Sequence, residues 1–142
     1  MSTEENKALY RRWFEEVVSG GNLELADQLL APDYVLHFPG VPGPVDSEGH
    51  KQLVMMFRNA FPDWHESVDD VIAEGDRVVI RVTGRGTHES EFQGIPATGE
   101  QVSATGIGIG RIEGGRIAES WAAYDALGLM QQLGAVPQQA GE

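Results

Sequence analysis

Cysteine is absent from this chain, which excludes disulfides, thiolate zinc sites and a cysteine nucleophile. Long apolar runs are missing too, and nothing approaches the ~18 residues that a membrane-spanning helix needs. The opening stretch MSTEENKALYRRW is charged from residue 4 onward, so no signal-peptide core is expected and the cytosol is the default compartment. Positive charge is scarce, with 10 Lys and Arg against 22 Asp and Glu, a net charge of −12. Without a basic stripe to neutralise phosphates, nucleic acid is not an expected partner. The four histidines form no HExxH or other local ligand spacing, so no metal is expected. A GxSxG elbow is also lacking. What remains is a small-molecule ligand, neutral, weakly acidic or carried on another protein.

The chain has 142 residues, enough for one domain with its own core. Residues 1–134 read as that domain, and 135–142 (AVPQQAGE) as a flexible tail. Ser2 and Glu5 fit a capping box, opening a helix over 2–19 with Leu9, Tyr10, Trp13, Phe14, Val17 and Val18 on its apolar side. Gly20-Gly21 stop it. Asn22 caps a second helix over 23–30, closed by Pro32, and residues 34–38 (YVLHF) form a short strand. A third helix spans 47–60, carrying Leu53, Val54 and Phe57, and Pro62 ends it.

Beyond Pro62 the period drops to two. Residues 68–73 and 77–88 pair around Gly75-Asp76, and 102–112 and 116–124 pair around Gly114-Gly115. Helices first and hairpins later predict an α+β fold, with helices packed on one face of an antiparallel sheet. Val78, Ile80, Val82 and Trp121 should face those helices.

Three features could carry chemistry. Gly106, Gly108 and Gly110 alternate on one strand face; no helix follows, so a nucleotide loop is excluded. They read as a sharp strand bend or as a cavity wall left open for a ligand. Asp125 stands in phase with Ile117, Glu119 and Trp121. Aimed at an apolar interior it would be a base with a raised pKa; it could equally cap a short helix over 126–133. Glu119, nearer the turn, reads as solvated or paired with an arginine. His88 shares parity with Val78 and Ile80, and His37 lies in the YVLHF strand; each is a pocket candidate or a structural histidine. His50 and His65 sit among polar neighbours and read as surface.

The segments NKALYRRWFEEVVSGGNLELADQLLAPDYVLH, GTHESEFQGIPATGEQV and GRIAESWAAYDALGLMQQLG resemble SnoaL-like polyketide cyclases, of the nuclear-transport-factor-2-like superfamily. The resemblance runs from about Asn6 to Gly134. It implies a cone-shaped bent sheet on three N-terminal helices, enclosing one pocket. Activity would be proton abstraction from a hydrophobic carbonyl substrate followed by aldol-type ring closure, with no cofactor and no metal. Isomerases, dehydratases, epoxide hydrolases and non-catalytic binders share the cone. Asp125 looks like the family base. With glycines on the preceding strand where the family places a polar partner, support for an oxyanion would fall to His37, His88 or Tyr124. Trp13, Phe57, Trp121, Tyr124, Gly108 and Gly110 are expected to line the pocket. The resemblance also implies a homodimer or higher homo-oligomer.

Overall fold

The capping box read from Ser2 and Glu5 is formed in full and opens helix α1, Thr3–Arg12. The computed structural model describes residues 2–137; most of the tail expected over 135–142 therefore lies outside the described residues. From Trp13 to Val18 the helix widens into a π-helical stretch, where the Ser19 N–H donates to Phe14 O five residues back at 3.0 Å. Such a widening is rare and frequent at functional sites. It ends at Val18, and two residues on, at Gly20, a Cβ would lie 2.5 Å from Glu16 O. The Arg58 guanidinium clamps this end, donating to the carbonyls of Val18 (3.1 Å), Ser19 (2.8 Å) and Trp64 (3.1 Å).

The remaining elements are α2, Leu23–Leu29; β1, Leu30–His37; α3, Ser47–Ala60; β2, His65–Glu74; β3, Arg77–Thr87; β4, Gln101–Glu113; β5, Arg116–Tyr124; and α4, Ala126–Gln132. Asn22 caps α2 as expected. The sheet order is β1-β5-β4-β3-β2. Antiparallel pairing holds for β2 through β5, but β1 runs parallel to β5, so the sheet is mixed and open. The wholly antiparallel expectation fails at this edge because β1 and β5 are far apart in sequence. Pro32 sits inside β1, not after a helix, where the pairing register breaks between Leu30 and Val35. An edge strand tolerates that missing donor.

Helices cover one face of the sheet. Val78, Ile80 and Val82 point into it and are buried, as their alternation predicts. Trp121 does not. Between the pairs Ile112↔Ile117 and Arg111↔Glu119 the register slips at Ala118, a β-bulge that inserts one residue and inverts the alternation beyond it. Ile117 faces the core, and after the bulge Ser120, Ala122 and Tyr124 face inward. Glu119, Trp121 and Ala123 face outward. Trp121 therefore stacks on His37 (5.3 Å between rings, 17° apart) beneath the Arg77 guanidinium at 5.0 Å.

The inner-face glycines are seats for aromatic rings. A Cβ on Gly108 would meet Tyr10 Oη at 2.6 Å and Phe14 at 3.0 Å, and one on Gly110 would press on the Tyr10 ring at 2.8 Å. Gly86 and Gly84 receive Trp64 in the same way. The space expected to be open at Gly108 and Gly110 is thus filled by α1, which also explains why so bare a strand sits in a dense core. Among the described residues no helix is long and apolar enough to cross a membrane.

Candidate active site

A cavity of about 100 Å³ lies between the π-helical stretch, α3 and the inner sheet face. Trp13, Phe57 and Tyr124 line it, with Phe14, Trp64 and Val82. Gly106 is the β4 glycine that reaches it, while Gly108 and Gly110 lie under Tyr10. The wall is overwhelmingly aromatic and aliphatic, so each polar group on it stands out.

Glu66 is the sole carboxylate among the lining residues. It enters from β2 opposite Gly84, in phase with Val68. Its backbone is pinned by the π-helical end: the Glu66 N–H donates to Ser19 Oγ at 2.8 Å. Its side chain accepts one bond, from Trp64 Nε1 at 3.2 Å, and Trp64 is itself seated on Gly84. No lysine or arginine pairs with it among the described residues. Burial therefore dominates and pushes the Glu66 pKa up to about 7, with the Trp64 bond holding it somewhat lower than burial alone would.

A second polar group crosses the cavity. His50 on α3 lies 4.5 Å from the Trp13 ring and stacks on Tyr34, and its Nδ1 is 2.9 Å from Tyr34 Oη. Burial drives its pKa down to about 3, so the imidazole is neutral at ordinary pH. Ser120, buried on β5, lines the same cavity. Burial raises the pKa of the Tyr10 and Tyr34 phenols, which stay protonated.

Asp125 lies elsewhere. Beyond the Ala118 bulge its parity is outward, and the residue is exposed. Its Oδ1 accepts from Gly128 N–H at 2.9 Å, capping α4. The expectation of an inward carboxylate is thus corrected, and the capping alternative describes the geometry. His37 is also outside, its Nε2 2.6 Å from Glu119; Glu119 in turn accepts from Arg111 at 3.2 Å. The pairing read for Glu119 is present. His88 is fully buried but away from the cavity. It packs against Phe61, and its Nδ1 accepts from Thr98 N–H at 3.2 Å. Gly84 and Gly86 leave the register of β3 intact; the strand simply ends at Thr87 before His88 can reach the cavity.

Two signals would have found the missed residues. His50 heads a stripe with Leu53, Val54 and Phe57 at spacings of three, four and seven, the core face of a helix. Glu66 alternates with Trp64 and Val68, but a strand begun at Val68 leaves it out. No group of three or more His, Asp or Glu side chains that could hold a metal occurs among the described residues.

Solved structures with this architecture include AclR of Streptomyces galilaeus, which carries a provisional hydroxylase assignment. It shares 29% identity over 99% of this chain and 91% of its own, with a TM-score of 0.89. A provisional polyketide cyclase from Acidithiobacillus ferrooxidans shares 36% identity over 94% of this chain and 97% of its own (TM-score 0.82). IdmH of Streptomyces antibioticus, likewise a provisional polyketide cyclase, shares 34% over 91% and 98% (TM-score 0.82). No curated protein matches the sequence. The family pattern described as SnoaL-like polyketide cyclase spans residues 8–133, taking in the second half of α1 and every later element through α4, and the chain belongs to that family.

Proposed function

We propose that this chain is an acid–base enzyme acting on a small apolar carbonyl compound, with Glu66 as the base. The observation that carries this reading is a lone carboxylate in an aromatic cavity whose pKa is lifted to about 7. A base poised near the working pH combines a useful ionised fraction with real basicity. Glu66 takes a proton from carbon beside the carbonyl, and the electron pair of that C–H bond moves onto oxygen as an enolate. In a ring-closing reaction, which the family membership supports, the enolate carbon then attacks a second carbonyl of the same molecule. The new alkoxide is quenched by a proton, and Glu66 can return the one it took. The apolar wall favours flat, uncharged substrates, because a second anion beside Glu66 would be repelled with little solvent to screen it.

The test needs no knowledge of the natural substrate. 2-Tetralone, a flat ketone with acidic α-hydrogens, is incubated with the protein in D₂O and its deuteration followed by NMR. The reading expects exchange above buffer that rises as pH passes through about 7. It also expects a loss of about a hundredfold in Glu66→Gln. Exchange by Glu66→Gln at the parent rate would dispose of Glu66 as the base.

A further inference from the structure

Removing a proton from carbon leaves negative charge on the carbonyl oxygen, and a cavity walled by hydrocarbon must supply a donor for it. The cavity holds no cation among its lining residues. The donors on its wall are Tyr10, Trp13, His50, Ser120 and Tyr124, with Trp64 already given to Glu66, and of these His50 is the one that a side-chain hydrogen bond among the described residues holds in place, to Tyr34.

That hydrogen bond has a preferred direction. A phenol is a far better donor than acceptor, and the Nδ1 of a neutral imidazole is a strong acceptor. The contact of 2.9 Å between Tyr34 Oη and His50 Nδ1 therefore carries the phenolic proton, which puts the imidazole proton on Nε2. The bond donated by Tyr34 polarises the imidazole and strengthens its Nε2–H as a donor. Nε2 has no protein hydrogen-bond partner among the described residues, although His50 lines the cavity.

We propose that His50 donates its Nε2–H to the substrate carbonyl oxygen as the enolate forms, with Tyr34 a positioning residue that fixes the imidazole tautomer. This rests on the Glu66 reading for the origin of the negative charge. During the step the C–H proton passes to the Glu66 carboxylate and the electron pair to oxygen. The Nε2 proton stays on nitrogen throughout. Being neutral, His50 stabilises the oxyanion without forming an ion pair with the ionised Glu66 and lowering its basicity.

The experiment reads the oxyanion site apart from the base. All proteins carry Glu66→Gln, which removes the competing charge, and the probe is 4-nitrophenol, whose phenolate is coloured. The bound phenolate-to-phenol ratio is measured by absorbance against pH. The proposal expects His50→Phe to lower that ratio about tenfold. His50→Gln, which keeps a neutral N–H donor, should recover most of it, and Tyr34→Phe should fall between. An unchanged ratio in His50→Phe overturns the proposal, as does failure of the Glu66→Gln protein to bind the probe at all. Should His50→Phe not fold, ¹⁵N NMR of the parent decides: the proton on Nε2 supports the proposal and the proton on Nδ1 overturns it. A wrong assignment of Glu66 would appear only in the tetralone exchange and leave these ratios untouched.

Discussion

Glu66 and Glu119 are the same side chain on opposite faces of one sheet, and the two faces give them opposite chemistry. Glu119 sits outside, bonded by His37 and Arg111, and those partners hold its pKa below the ordinary glutamate range. Glu66 sits inside with one neutral donor, and burial lifts it to about 7. Charged partners in water make a carboxylate a fixed anion; hydrocarbon walls make it a proton carrier. Asp125, which the resemblance marks as the family base, lies at the exposed end of β5 and caps α4.

The comparison can be broken at the level of stability. The folded-state pKa of Glu66 exceeds its unfolded value, so its contribution is fully present below about 4.5 and is lost as pH rises through about 7. Glu66→Gln should therefore leave stability unchanged near pH 4 and raise it at pH 8, by up to about 3 kcal/mol. Urea titrations of parent and variant at both pH values check this. Glu119→Gln should show the opposite trend in a much weaker form. Its folded pKa is depressed, so the stability it contributes is present above the unfolded value and fades in acid. A gain for Glu119→Gln at pH 8 equal to that of Glu66→Gln would erase the distinction between the faces.

A smaller effect separates the two faces of β4. Gly110→Ala places a methyl 2.8 Å from the Tyr10 ring, and overpacking of this kind costs about 1–3 kcal/mol. Thr105→Ala, on the outer face, should change stability by no more than about 0.5 kcal/mol. Thermal melts at one pH compare them; equal losses would mean that Tyr10 yields freely and the glycines are not seats.

At Asp125 the expected change is smaller still. Asp125→Ala should cost about 1 kcal/mol for a lost cap, and tetralone exchange should stay within twofold of the parent. A large loss of exchange with unchanged stability would return the base role to Asp125. Least of all, His37→Ala should alter stability by a few tenths of a kcal/mol, the scale of an exposed side-chain contact.

How far the sequence reveals this molecule follows from where its periodicity is unbroken. The capping box at Ser2, the 47–60 helix and the inward run Val78, Ile80, Val82 are local patterns, and each forms as read. The site is hidden by two non-local events. One inserted residue, Ala118, turns Trp121 and Asp125 outward and brings in Ser120, Ala122 and Tyr124. Alternation counted from Ile117 contains no sign of it, because a bulge is set by pairing with β4. The second event is the filling of glycine faces by distant aromatics. Bare strand positions look like cavity until Tyr10 and Trp64 are placed on them. Even so, His50 and Glu66 stood on faces already visible as apolar stripes. A polar residue at a core position of such a stripe is the clue that local pattern does offer.

The central claim is that the inner face turns Glu66 into a base, and a direct titration decides it. With ¹³C-labelled glutamate, the Glu66 carboxyl resonance is followed from pH 3 to pH 9 and assigned by its disappearance in Glu66→Gln. The account predicts a midpoint near 7, well above that of Glu119 on the outer face. A midpoint in the ordinary range near 4.5 would show that water reaches the carboxylate, and the acid–base assignment would fall with it.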